Sequence, residues 1–427
     1  MSGWERLQYI AVYAKIFPKE VRDLAYNSYE FKRNLLLNII AHQGPISRTD
    51  LAEITDYRPA SVTDITRQLL DEKLIVETDH ISDGPGRKRV LLEINKKHIC
   101  AIGIAFTADA VQYVVSAIDG SLLAQSNHKR PGKQDREELI QMIGEQTENL
   151  IRQFPKRKIV GIGISEPLVD PATFQKEKTL LANYAHFNDW IHLALKPRLE
   201  QRFGVQVGSY SGVTLPAMAE QRFGVAKDAR DFICVELSNG IGSSICVGGV
   251  PLAGAKGMAG ELGHTVIEYG GSQQKLCYCG KPDCVEASTG YPALAAAITQ
   301  AIQSGVFSSL PKDKPLTVQA IREAVEQGDR MCRHHVKEAA QRIGVAIANA
   351  VNLLNPELVV LYGFMLELGD YFLQKLEQSL RDNVLSITSD FELRISSSMD
   401  ELLPLGAVAE IFSEYLHSDD YKWVYRQ

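Results

Sequence analysis

Three cysteines fall within eight residues, Cys277-Tyr278-Cys279-Gly280-Lys281-Pro282-Asp283-Cys284, and His264 lies a short loop upstream. Three thiolates and one imidazole complete a tetrahedral donor set for zinc. Four protein ligands leave no position open for water, so such a site is structural rather than catalytic. Cys277 and Cys279 cannot close an ordinary disulfide with each other, because side chains at that spacing diverge. The remaining cysteines, Cys100, Cys234, Cys246 and Cys332, sit in apolar or helical contexts and read as reduced core residues. Zn2+ held by His264, Cys277, Cys279 and Cys284 is therefore the expected cofactor.

The elements around this cluster belong to a chain long enough, at 427 residues, for two or three domains. Apolar residues make up 45% and charged residues 23%, as in an ordinary globular protein. No run approaches a membrane span, and the opening Met1-Ser2-Gly3-Trp4-Glu5-Arg6 has an acid and no apolar stretch of the signal-peptide kind, so a cytoplasmic protein with no membrane partner is expected. The net charge is −6 but is unevenly spread. Residues 1–97 hold 15 Lys and Arg against 14 Asp and Glu, and the acidic excess lies in the remainder. That balance fits a small nucleic-acid module on an acidic body.

Trp4, Leu7, Ile10, Ala14 and Phe17 lie at helical spacing, which predicts an amphipathic helix within residues 1–27. Residues 28–97 carry three further helical signals. Phe31, Leu35, Leu36, Ile39 and Ile40 form one apolar face, ended by Gly44-Pro45. Ser47-Arg48-Thr49-Asp50 resembles a capping box opening a short helix to Ile54. A third helix runs from about Pro59 to Glu72, with Val62, Ile65 and Leu69 inward. Two strand-like stretches, Leu74–Thr78 and Val90–Ile94, flank the basic loop Gly84-Pro85-Gly86-Arg87-Lys88-Arg89. Three helices and a two-stranded wing make a winged helix-turn-helix. Its third helix would enter the major groove of double-stranded DNA with Ala60, Ser61, Asp64, Arg67 and Gln68 outward. Asp64 there could accept from a cytosine amino group or simply lie on a solvated face. Arg87, Lys88 and Arg89 would reach phosphates or the minor groove.

From residue 99 three alternating stretches, Ile99–Phe106, Val111–Ile118 and Leu122–Asn127, read as a meander. A helix over 135–153 and a strand over 158–165 follow. A similar order recurs with strands Phe232–Leu237 and Ser243–Val247, helices near 291–303, 316–327 and 330–354, and a strand Leu358–Leu361. Two related α/β lobes with a ligand cleft between them are expected, with a last helix near 404–416 returning to the first lobe.

Gly257-Met258-Ala259-Gly260-Glu261-Leu262-Gly263-His264, the cysteine cluster and Glu286-Ala287-Ser288-Thr289-Gly290 together resemble the ROK family of repressors, open reading frames and kinases. Gly240-Ile241-Gly242, Gly161-Ile162-Gly163 with Glu166-Pro167-Leu168-Val169-Asp170, Asn352-Leu353-Leu354-Asn355-Pro356 and Leu405-Gly406-Ala407-Val408-Ala409 extend the likeness over nearly the whole chain. Gly44-Pro45-Ile46-Ser47-Arg48 and Pro59-Ala60-Ser61-Val62-Thr63 are similar to its repressor branch. The resemblance implies an α/β fold: a winged helix-turn-helix, then a two-lobed actin/hexokinase-like (ribonuclease H-like) domain over 98–427 with a structural zinc. The first lobe would take about 98–212 plus 390–427, and the second about 213–389. It implies that Glu261, His264 and Glu286 contact a sugar, the carboxylates accepting from its hydroxyls. The alternative role for the two carboxylates is only to orient the zinc ligands.

Several positions depart from the family's kinases. Their first phosphate loop, Asp-x-Gly-Gly-Thr, is Ala105-Phe106-Thr107-Ala108-Asp109 here, without the glycine that lets backbone approach a phosphate. Their catalytic Asn-Asp pair falls on Ser211-Gly212, which removes the base that would take the sugar hydroxyl's proton. The late Gly-Gly turn reads Tyr362-Gly363-Phe364. The sequence thus points to a homodimeric or homotetrameric repressor of carbohydrate genes, released by a sugar or sugar phosphate, and not to an enzyme. The alternatives are an active sugar kinase with an appended DNA-binding domain, and a regulator whose sensor domain binds a protein.

Overall fold

The computed structural model describes residues 29–81, 89–107, 110–129, 136–166, 194–255, 257–267, 275–312, 315–396 and 401–417. The helix expected within 1–27, the wing tip with Arg87 and Lys88, and the turn Pro167–Asp170 lie outside them.

The first described helix, α1 (Tyr29–Gln43), stops at Gly44-Pro45, where the next residue to continue it would be a proline without an amide proton. A two-residue strand, β1 (Ile46–Ser47), leads into α2 (Arg48–Thr55). Ser47 and Asp50 form the reciprocal capping box that their spacing predicted. Asp56 turns in the left-handed conformation, and α3 (Pro59–Asp71) opens with proline in its first turn and buries Val62, Ile65, Thr66 and Leu69. Strands β2 (Ile75–Ile81) and β3 (Arg89–Ile94) pair antiparallel. The sheet has three strands rather than the two expected, in the order β1-β3-β2. Two residues are too few for a periodicity signal, and β1 exists because Ile46 and Ser47 register against Leu92 and Leu91.

Two five-stranded sheets follow, and their orders repeat. In the first, β4 (Ile99–Phe106), β5 (Ala110–Ala117) and β6 (Leu122–Lys129) form an antiparallel meander. Next come α4 (Arg136–Gln153), β7 (Lys158–Glu166), α5 (Leu195–Phe203) and β8 (Val207–Ser211), with β7 and β8 added parallel to β4 to give β6-β5-β4-β7-β8. After α6 (Leu215–Arg222), the strands β9 (Phe232–Leu237), β10 (Ile241–Val247) and β11 (Val250–Pro251) meander again. The helices α7 (Val285–Thr289), α8 (Tyr291–Gln303), α9 (Val318–Glu326) and α10 (Arg330–Leu354) precede β12 (Leu358–Tyr362). Helix α11 (Asp370–Asn383) separates β12 from β13 (Glu392–Ile395), completing β11-β10-β9-β12-β13. The chain between 390 and 395, expected in the first lobe, instead pairs parallel with β12 from Leu358↔Glu392 to Leu361↔Ile395. Only with α12 (Leu402–His417) does it return to the first sheet.

Helix α12 packs on β4, β7, β8 and α6, and also touches α1 of the N-terminal module. Its seat is cut by glycine. A Cβ on Gly103 would lie 2.0 Å from the Pro404 carbonyl oxygen, and one on Gly163 would lie 2.3 Å from that of Ala407. One apolar cluster therefore runs from Leu36 and Leu69 through Ala101 and Val160 to Phe412 and Phe232. Among the described residues, no helix is long and apolar enough to cross a membrane.

Candidate functional site

The cysteine segment folds back on itself. The Cys277 amide donates to the Lys281 carbonyl and the Gly280 amide to that of Cys277, each at 2.9 Å, with Gly280 at φ 85° where a side chain would be strained. Val266 bridges Cys284, and the Val285 amide donates to the Thr265 carbonyl at 3.0 Å. These bonds bring the end of the turn Leu262–His264 beside Cys284, which starts α7. The donor atoms of His264, Cys277, Cys279 and Cys284 all lie within 4.8 Å of one another. His264 Nδ1 is 3.6 Å from Cys277 Sγ, and Cys279 Sγ is 3.5 Å from Cys284 Sγ. An ion with metal–sulfur bonds near 2.3 Å holds its tetrahedral ligands roughly 3.5–3.8 Å apart, so the four residues fit a metal ion.

Because Nδ1 faces the thiols, Nε2 of His264 faces the other way. It lies 3.1 Å from Tyr278 Oη and 3.7 Å from Glu261 Oε2. Glu286, in the first turn of α7, accepts from the Ile241 amide through Oε2 at 2.9 Å. That approach needs Gly240, where a Cβ would stand 2.7 Å from the same oxygen. Gly263 is equally constrained, its missing Cβ leaving room for the Ile241 carbonyl at 2.1 Å. Gly240 of the β9–β10 loop and Gly263 of the Leu262–His264 turn thus let the carboxylate and that turn close against β10. Burial raises the Glu261 carboxyl above its ordinary range, opposed by His264 and reinforced by Glu286. Glu236 on β9, which sequence reasoning missed, is raised chiefly by burial, with Glu286 adding to the effect. Its signal was slight, a lone acid in an otherwise apolar strand.

Gly212 follows β8 directly. Among the described residues, a Cβ there would meet Ser165 Oγ at 3.4 Å and Leu403 Cδ2 at 4.0 Å, ordinary contact distances. Ala105 and Phe106 are buried strand residues, and the Thr107 amide closes the β4–β5 turn on the Ala110 carbonyl at 2.9 Å. Gly363, at φ 105°, lets the chain pass where a Cβ would be 2.5 Å from the Leu237 carbonyl oxygen.

On α3, Ala60, Asp64, Arg67 and Gln68 are exposed and Ser61 is half-buried. Asp64 pairs with Arg67 at 3.3 Å, and Gln68 accepts from the Tyr29 hydroxyl, so these outward residues are already engaged with neighbours. Arg89 is exposed and sits 3.4 Å from Asp50. Arg48, which sequence reasoning did not single out, ties α2 to α3 and β2 through Thr66 and Glu77, both at 2.9 Å.

Each half thus builds a three-stranded meander and then adds two parallel strands, an α/β arrangement made twice. The chain belongs to the ROK family, whose model matches residues 101–409. It is 28% identical over 400 residues to a xylose repressor of Caldicellulosiruptor bescii, covering 92% of this chain and 98% of that protein. It is 28% identical over 375 residues to the DNA-binding transcriptional dual regulator NagC of Escherichia coli K12, covering 87% and 89%. A solved ROK family transcriptional regulator, a homolog of the E. coli MLC protein, superposes with a TM-score of 0.75 at 24% identity over 90% of this chain and 96% of that one. A ROK hexokinase from Thermus thermophilus superposes with 0.61 at 24% identity, covering 74% of this chain and 99% of its own.

Proposed function

We propose that the protein is a DNA-binding transcriptional repressor of carbohydrate genes, controlled by a sugar or sugar phosphate and without kinase activity. The observation that carries this reading is the likeness to repressors and regulators across almost the full length of both chains. The hexokinase leaves a quarter of this chain unmatched.

Residues 28–97 act as a winged helix-turn-helix on a double-stranded operator. Ala60, Ser61, Asp64, Arg67 and Gln68 face the major groove, and Arg87, Lys88 and Arg89 face the backbone. Binding as a homodimer or homotetramer would place two such modules on a near-palindromic site. In the sensor domain, Glu261 and Glu286 accept hydroxyl protons of the sugar, and Nε2 of His264 meets it from the metal side. The ion at His264, Cys277, Cys279 and Cys284 is zinc, which fits a borderline-soft set of three thiolates and an imidazole and acts by stiffening the loop that bears these groups. Gly212 offers no base at the sugar hydroxyl, which opposes the kinase alternative.

The test pairs operator-binding titrations with thermal shifts against a panel of sugars and sugar phosphates. A sugar that raises the melting temperature should weaken operator binding by about 5- to 150-fold, the usual range of allosteric coupling. Replacing Arg87 and Arg89 by Ala should weaken binding on all sequences and flatten its salt dependence. Sugar-dependent ADP release by the purified protein would refute the proposal.

A further inference from the structure

Tyr278 stands between two of the cluster cysteines, where its backbone is set by the turn from Cys277 to Lys281. Its side chain is 38% exposed, so burial is not what holds it. His264 is one partner that holds it. The Tyr278 hydroxyl lies 3.1 Å from Nε2, and the rings meet edge to face with centroids 5.2 Å apart. Nδ1 of the same imidazole faces the thiols, so a ring bound through Nδ1 keeps its proton on Nε2 and donates it to the tyrosine oxygen. Glu261 Oε2 is 3.7 Å from the same nitrogen. The phenolic oxygen therefore accepts from the imidazole nitrogen turned away from the thiols, as a sugar hydroxyl would, beside a carboxylate suited to accept that hydroxyl's hydrogen bond.

We infer that Tyr278 is a built-in competitor for the sensor site, occupying His264 Nε2 until a ligand hydroxyl displaces it. This rests on the sugar-binding reading above and adds a residue that sets effector affinity from within the metal loop. A ligand must break the Tyr278–His264 hydrogen bond to make its own, so part of its binding energy is offset. A ligand without a hydroxyl able to accept from Nε2 cannot make the exchange, which makes the tyrosine a filter as well as a brake. Removing only the hydroxyl should relieve the competition, because a phenylalanine keeps the edge-to-face contact but cannot hold Nε2.

The experiment compares the wild-type protein with Tyr278→Phe by calorimetry, using xylose, N-acetylglucosamine, glucose and their 6- or 5-phosphates as probes, with metal content measured on each sample. Equal metal content and a sugar affinity about 2- to 10-fold tighter in Tyr278→Phe, the range of one net hydrogen bond, is the expected result. A sugar that binds the variant only, below detection in the wild type, supports the inference more strongly. If the wild type binds a sugar and Tyr278→Phe binds it equally or more weakly, the competitor role is overturned while the sugar reading stands. If neither protein binds any probe, the sugar reading and the role of Tyr278 fall together.

Discussion

Gly161 and Gly163 lie on one strand and face the same helix, and they should respond differently to one added methyl group. At Gly163 the new Cβ would come 2.3 Å from the Ala407 carbonyl oxygen and 2.6 Å from its carbon, both backbone atoms of α12. Ordinary contact begins near 3.4 Å, so the helix or the strand would have to give by about 1 Å. At Gly161 the nearest atom is the Ile411 Cγ2 methyl at 2.9 Å, with the Gln206 carbonyl oxygen at 3.0 Å, so the overlap is smaller and no backbone atom lies closer than 3.0 Å. Overpacking of a tight core costs typically about 1–3 kcal/mol, and Gly163→Ala belongs at the top of that range or beyond it, Gly161→Ala at the bottom. Urea or thermal denaturation should rank wild type above Gly161→Ala, and that above Gly163→Ala. Because α12 also touches α1, the Gly163→Ala protein that remains folded should show altered operator affinity as well. A Gly163→Ala protein as stable as Gly161→Ala would refute the argument that backbone contact fixes this helix.

Two further outcomes are expected. Metal analysis of native protein should find about one zinc per chain, and Cys284→Ser, which changes the buried cysteine at the start of α7, should lose both the metal and several degrees of melting temperature; a protein purified without metal would contradict this. Gly212→Asp should fold, since a Cβ there makes ordinary contacts among the described residues, yet should not phosphorylate any hexose, because a restored base contributes on the order of 10²–10⁴-fold only to a reaction whose nucleotide is bound; ATP-dependent sugar phosphorylation would show that the first phosphate loop is competent after all.

What could be read from the sequence was what short spacing decides. The capping box at Ser47 and Asp50, the inward stripe Val62, Ile65, Leu69 and the meander from Ile99 are local patterns, and the structure has them. The four donors His264, Cys277, Cys279 and Cys284 were legible for the same reason, since their residue types admit few other uses. Strand β13 was not, because its alternation of Glu392, Leu393, Arg394 and Ile395 lasts only four residues, too short a run to stand out, and it acquires its partner only through β12, more than thirty residues away. Arg394 is held there by Asp228, far away in sequence, and by Glu392. The contact of Tyr278 with His264 was likewise hidden, since spacing places a residue near a site but does not say which way its ring turns.

The seat of α12 also bears on how the chain assembles during synthesis. Residues 29–94 can form their helices and sheet as soon as they leave the ribosome, since their contacts are close in sequence. The surface that receives α1, however, is made of residues 402–417, translated more than three hundred positions later. Until then β4 and β7 present the bare glycine track of Gly103, Gly161 and Gly163, an apolar groove without its helix. A nascent chain therefore carries a finished N-terminal module that cannot be docked. Truncation before Leu402 should yield that module tethered to an open sheet, prone to aggregation and deaf to whatever the sensor site binds.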